Sequence, residues 1–172
     1  KAQAENYCVG YRSYLDTAKT EREAVTEAIR MAEAAGFVPY QAGMGLAAGA
    51  KVYHNVRGKA LMLAVIGTSP LSAGVNIAGA HVDAPRIDLK QQPLYEDGEL
   101  AFFKTHYYGG IKKYQWMTLP LALHGVIIKK DGSTVGIKIG ETDEDPVFTI
   151  TDLLPHLSKE QLKKTLGEAF NG

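Results

Sequence analysis

The stretch Ala78–Arg86, "AGAHVDAPR", sets a histidine and an aspartate one residue apart between an apolar run and a proline. Alternate residues of a strand face the same way, so His81 and Asp83 would project together while Val82 turns back into the protein. Imidazole nitrogen is a good zinc ligand, and a ligating histidine usually gives its other ring hydrogen to a carboxylate that fixes tautomer and orientation. Pro85 would end strand pairing and stiffen the turn that presents the pair. The same tripeptide also suits a hydrogen-bonded structural histidine, and catalytic zinc needs about three protein ligands and an open position.

Working outward, "GVNIAGAH" reads as a buried strand ending at His81, which sets the motif where a core strand gives way to a loop. In α/β architectures such strand ends face the crevice used for ligands. Upstream, "VYHNV", a turn at Arg57-Gly58 and "ALMLAVIG" read as a hairpin whose second strand is apolar on both faces, as in a buried central strand. Before it, Thr20 and Glu23 have capping-box spacing, and Val25, Ala28, Ile29 and Ala32 recur at helical intervals up to Gly36. A shorter helix is expected from Tyr7 to Ala18, weakened by Gly10. The glycine-dense "AGMGLAAGA" faintly suggests a phosphate loop through Gly43, Gly45 and Gly49. It lacks the preceding strand, the capped helix and the acidic ribose contact, so a connector is the better reading.

Downstream of Leu89, "ELAFFKTHYY", "LPLALHGVIIKK", "STVGIKIGE" and "PVFTITDLL" are strand-like and separated by turn signals, which suggests a small β-rich annex. Ser158 and Gln161 repeat the capping-box spacing, with Leu162, Leu166 and Phe170 on one face of an expected final helix. His54, His106 and His124 read as surface or satisfied interior residues. His156 differs, because Pro155 and the expected helix would hold it in a defined loop.

The 172 residues carry 19 basic and 19 acidic side chains, so no net field draws the chain to nucleic acid or a membrane surface. Cys8 is the only cysteine, which excludes an intramolecular disulfide framework and favours a reducing compartment or indifference to redox, with a cytoplasmic setting as the default expectation. The longest apolar runs fall far short of the roughly 20 residues that span a bilayer. Because the chain opens at Lys1, its first residue is expected not to be the original start of the gene product.

Three blocks in order, "GAHVDAPRIDLK", "YYGGIKKYQW" and "PVFTITDLLPHLS", resemble the aspartyl aminopeptidase and aminopeptidase I family of dinuclear zinc exopeptidases. The likeness runs from "KVYHNVRGKALMLAVIG" to "LLPHLS". It implies an α/β fold, with residues 1–89 forming part of a three-layer zinc-exopeptidase catalytic domain and 90–172 an inserted β-rich lid, or dimerisation, domain. By the same resemblance His81 binds one of two zinc ions, with cobalt or manganese as alternatives, and Asp83 supports it. Tyr108, Gly109 and Gly110 match the Tyr-Gly-Gly block. His156 matches a lid histidine that reaches a neighbouring subunit's site, either as a contact to substrate and oxyanion or as a zinc ligand. The implied partners are a peptide substrate and further copies of the chain, up to a dodecamer built from dimers.

Departures from the family pattern are visible. Ala84 replaces a serine, and Thr118, Leu119 and Pro120 stand at Asp-Arg-Asp positions, which marks a divergent branch and leaves a preference for acidic amino-terminal residues unsupported. The family's bridging aspartate, Glu-Glu pair and remaining ligands lie beyond the lid, and nothing after His156 supplies them. The chain is therefore expected to be the front portion of such an aminopeptidase and inactive alone. The rival readings are an assembly or binding module that kept the fold without the chemistry, and a small-ligand binder using the Gly43–Gly49 loop.

Overall fold

The computed structural model describes residues 1–170, which divide into two compact units, Lys1–Ala84 and Pro85 onward. Strand β4 (Arg86–Asp97) runs across the boundary expected at residue 89.

The first unit opens with α1 (Ala2–Thr17), longer than the expected Tyr7–Ala18 and continuous through Gly10. Helix α2 (Glu21–Ala34) follows the sequence reading closely. Glu23 N–H donates to Thr20 Oγ1 at 3.3 Å, and Thr20 N–H donates to the Glu23 carboxylate at 3.0 Å, so the capping box closes in both directions. Its C-terminus is a Schellman motif: Gly36, at φ +85°, donates to Glu33 O, and Phe37 N–H reaches Ala32 O. Val25 and Ala32 of the expected apolar face are buried, together with Ala24.

Strands β1 (Val38–Pro39), β2 (Lys51–Val56) and β3 (Ala60–Val65) form one sheet in that order, β1 parallel and β3 antiparallel to β2. The expected hairpin is present, its turn made by Arg57 and Gly58 at positive φ, with Asn55 Oδ1 accepting from Gly58 N–H. Val52 and Tyr53 of β2 are buried, and the Tyr53 hydroxyl donates to Glu33 of α2 at 2.7 Å.

Two strand expectations need correction. The apolar "ALMLAV" is not a buried central strand: among the described residues β3 has only β2 beside it, and Met62 is 70% exposed. "GVNIAGAH" forms no strand, and Ile77 is 86% exposed. Both runs have the composition of interior strands, but among the described residues β3 has no neighbour on its second edge and "GVNIAGAH" has none on either, so the N–H and C=O groups there have no ladder partner.

The second unit contains two antiparallel hairpins. In the first, β4 pairs with β5 (Leu100–Tyr108) through Gly98 and Glu99, both at positive φ as a tight hairpin turn requires. A bulge between Leu89 and Leu94 absorbs Gln92 at φ +50° and Pro93, which cannot donate to a ladder. In the second, β6 (Leu123–Ile128) pairs with β7 (Thr134–Ile139), and Asp131 accepts from Ser133 N–H in the turn. "PVFTITDLL" contributes only an isolated bridge, Leu121 to Phe148.

The expected final helix is absent apart from one 3-10 turn, Gln161–Lys163. Ser158 does not cap it: its hydroxyl donates to Pro155 O at 3.0 Å instead of accepting from Gln161 N–H. Leu162 is 76% exposed, so the apolar stripe has nothing to pack on, and a short helix without packing is marginal in water.

Candidate functional site

The segment that follows β3 turns through a 3-10 helix, Leu71–Ala73, and reaches His81 without regular structure. His81 and Asp83 are nonetheless brought together. The His81 Nδ1 atom lies 2.8 Å from the Asp83 carbonyl oxygen and 3.2 Å from its carboxylate. Both neighbours are acceptors, so Nδ1 carries the proton and donates, which leaves the Nε2 lone pair uncommitted. The side chain is 82% exposed, so that lone pair is accessible from solvent. This is the tautomer a histidine needs to bind a metal through Nε2.

The residues just after the pair are locked to the Tyr-Gly-Gly block. Arg86 pairs with Tyr108 across the β4–β5 ladder, and its guanidinium lies 4.2 Å from the Tyr108 ring centroid. Arg86 also donates to Asp88 at 2.7 Å. Gly109 sits at φ +76°, and a Cβ there would meet Pro85 atoms at 3.4 Å, so the backbone of one motif lies against the proline of the other. The sequence reading missed Arg86 and Asp88. Their period-two spacing on a strand, beside an aromatic on the partner, was the available signal.

His156 lies in the second unit, exposed, in the turn Pro155–Leu157. Its imidazole has no hydrogen bond or ion pair among the described residues. The remaining histidines have structural settings. His124 lies 2.6 Å from Glu141 with its side chain buried, His106 stacks on Tyr107, and His54 sits exposed on β2. Nearby, the Asp145 carboxylate accepts backbone N–H bonds from Gly140, Glu141 and Thr142. The Gly140 bond leads in holding that carboxyl below its usual range, against the opposing pull of desolvation.

No group of three or more His, Cys, Asp or Glu side chains able to hold a metal occurs among the described residues. One prepared imidazole fits as a single zinc ligand and is not by itself a zinc site. The glycine-dense connector borders an open hollow of about 410 Å³, lined by Val38, Met44, Leu46 and Val52 among others, with no strand-loop-helix phosphate cradle. No described helix is long and apolar enough to cross a membrane.

An exposed, carboxylate-steadied imidazole in a chain with an α/β mix fits a metallopeptidase class. Residues 14–170 match the model of the aminopeptidase I zinc metalloprotease (M18) family, and the chain belongs to that family. It is 53% identical over 166 residues to the probable M18 family aminopeptidase 1 of Clostridium acetobutylicum, covering 94% of this chain and 36% of that relative. The corresponding Thermotoga maritima protein is 46% identical over 172 residues, covering 100% of this chain and 38% of that one. The crystal structure of the M18 aminopeptidase from Thermotoga maritima superposes with a TM-score of 0.90, over 99% of this chain and 37% of that chain. The chain thus spans well under half the length of the relatives it matches.

Proposed function

We propose that this chain is the N-terminal part of a zinc-dependent aminopeptidase that removes the amino-terminal residue of peptides, with His81 as one metal ligand and Asp83 as its orienting partner. The observation that carries the reading is the commitment of His81 Nδ1 to the carbonyl and carboxylate of Asp83, which leaves Nε2 free to coordinate. In this reading residues 1–89 belong to a three-layer catalytic domain and residues 90–172 to an inserted lid. The remaining ligands come from polypeptide outside these 172 residues, since one imidazole cannot hold catalytic zinc.

Zinc, held in this chain by His81, would supply Lewis acidity toward a peptide carbonyl and toward water. The chain's own contribution is positional. Asp83 fixes the ring of His81, and His81 would offer its Nε2 to the metal. For His156, the absence of an orienting carboxylate or carbonyl on its imidazole favours the substrate-contact role over that of a ligand. A ring N–H donated to the developing oxyanion there is worth ~3 kcal/mol of transition-state stabilisation. Because the lid reaches a neighbouring subunit in this reading, activity depends on assembly, up to a dodecamer built from dimers. A cytoplasmic setting accords with the single cysteine, exposed Cys8.

The test is His81→Ala in the complete aminopeptidase. Zinc per subunit is expected to fall and peptidase activity to disappear, measured by metal analysis and by release of an amino-terminal residue. Full metal content in the variant would remove His81 from the ligand set. Zinc that binds without any hydrolysis in the wild-type protein would favour the non-catalytic assembly module instead.

A further inference from the structure

The turn that carries His156 is held by hydrogen bonds before it, within it and after it. Immediately upstream, Leu121 and Phe148 exchange two backbone hydrogen bonds, and Thr118 N–H donates to Ile150 O at 2.8 Å. The Asp152 carboxylate then accepts from Leu153 N–H at 2.8 Å and from the Gln161 side-chain amide at 3.1 Å, joining the chain before the turn to the chain after it. That amide also reaches Ala169 O at 3.4 Å. Within the turn, Leu157 N–H donates to Leu154 O, and the Ser158 hydroxyl donates to Pro155 O. Ser158 is 5% exposed, while His156, Leu157 and Lys159 around it are all exposed.

Ordering an exposed turn costs backbone entropy and is usually offset by apolar burial. Little is buried here: Leu153, Leu154 and Leu157 all face solvent. Among the described residues none of these hydrogen bonds is made to the imidazole. A turn ordered around an unused side chain is arranged to present that side chain.

We infer that Asp152, Ser158 and Gln161 are positioning residues for His156, closing a polar frame that holds its imidazole at a fixed height above the lid surface. The inference rests on the reading of His156 as a substrate contact, and it assigns these three residues a role in turnover without contact to substrate.

Asp152 carries the test, because it is exposed, whereas replacing buried Ser158 risks the local fold. In the complete aminopeptidase, Asp152→Ala is expected to lower kcat about 10- to 100-fold with KM little changed, the scale of a misplaced catalytic group. Asp152→Asn keeps an acceptor oxygen for Leu153 and Gln161 and is expected to recover most of that loss. In a His156→Ala background, Asp152→Ala should cost nothing further, since two residues acting through one group are not additive. An equal loss in both backgrounds, or an unchanged kcat in Asp152→Ala, overturns the positioning role and leaves that of His156 standing. If His156→Ala itself leaves kcat unchanged, the role of His156 falls first, and the frame's role falls with it.

Discussion

At the residue scale, the informative atom is His81 Nδ1. A carbonyl and a carboxylate both face it, so the proton is fixed on that nitrogen and the other keeps an accessible lone pair. The carboxylate half of this was legible in the sequence as a histidine and an acid at alternate positions. The carbonyl half was not, because it depends on His81 and Asp83 lying outside any strand, where the pattern had set them at a strand end. Since the carbonyl survives substitution, Asp83→Asn is expected to loosen zinc in the complete aminopeptidase by about 10- to 100-fold, less than His81→Ala. Competition against a chelator of known affinity reads the difference, and equal losses would give Asp83 a larger part than orientation. A second residue-scale expectation concerns Asp145. Its carboxyl is held below the ordinary value of about 3.9, chiefly by Gly140 N–H with help from Glu141 and Thr142. A depressed folded value means the stabilisation is present above the unfolded pKa and is lost as pH falls through the folded one. Proteolysis of the 140–145 loop should therefore rise on acidification below pH ~4, and Asp145→Asn should flatten that dependence. An unchanged acid response in the variant would place the sensitive group elsewhere.

At the element scale, what the sequence revealed depended on whether an element is completed locally. Helix α2 was legible to its ends because its start signal, Thr20 with Glu23, and its stop signal, Gly36, are satisfied by atoms within a few residues. Thr20→Ala should accordingly cost about 1 kcal/mol of stability, read as a lowered denaturant midpoint. The hairpins were legible for the same reason, from turn residues such as Gly58 and Gly132 at positive φ. "GVNIAGAH" and the Ser158–Phe170 segment were misread because their patterns describe elements that need distant partners. Apolar composition states what a segment would do beside a neighbour and cannot supply the neighbour. One tight approach was invisible in sequence altogether. Gly140 sits at φ +97°, and a Cβ there would lie 3.0 Å from Ala122 Cα and 3.1 Å from Leu121 O. Gly140→Ala combines a forbidden conformation with a backbone clash and is expected to cost about 2 kcal/mol or more. Hydrogen exchange at Leu121, Ala122 and the 140–145 loop would locate the damage, and protection equal to wild type would mean the backbone shifts at no cost.

At the scale of the whole molecule, exposed area is the quantity that decides. The chain exposes 13794 Å². Two separate folded units of half its mass would together expose roughly 10,000 Å², even with no surface shared between them. The difference, about 4,000 Å², is more than twice a standard protein interface of about 1,600 Å². Much of it is apolar: Met62, Val65, Val75 and Ile77 in the first unit, Ile128, Leu154, Leu157 and Leu162 in the second. Patches of this kind mark surfaces covered in the working assembly. The metal chemistry points the same way, since one oriented imidazole is present where about three ligands are needed. Both lines lead to one expectation for the 172-residue chain on its own. It should bind an apolar dye such as ANS, self-associate at micromolar concentration, show no zinc-dependent release of amino-terminal residues, and hold zinc far more weakly than the complete aminopeptidase. Sedimentation, dye fluorescence and metal titration on both proteins side by side measure these properties. A dye-silent monomer would mean that the exposed faces close on each other without help, and tight zinc binding by that monomer would mean that His81 finds its co-ligands within this chain.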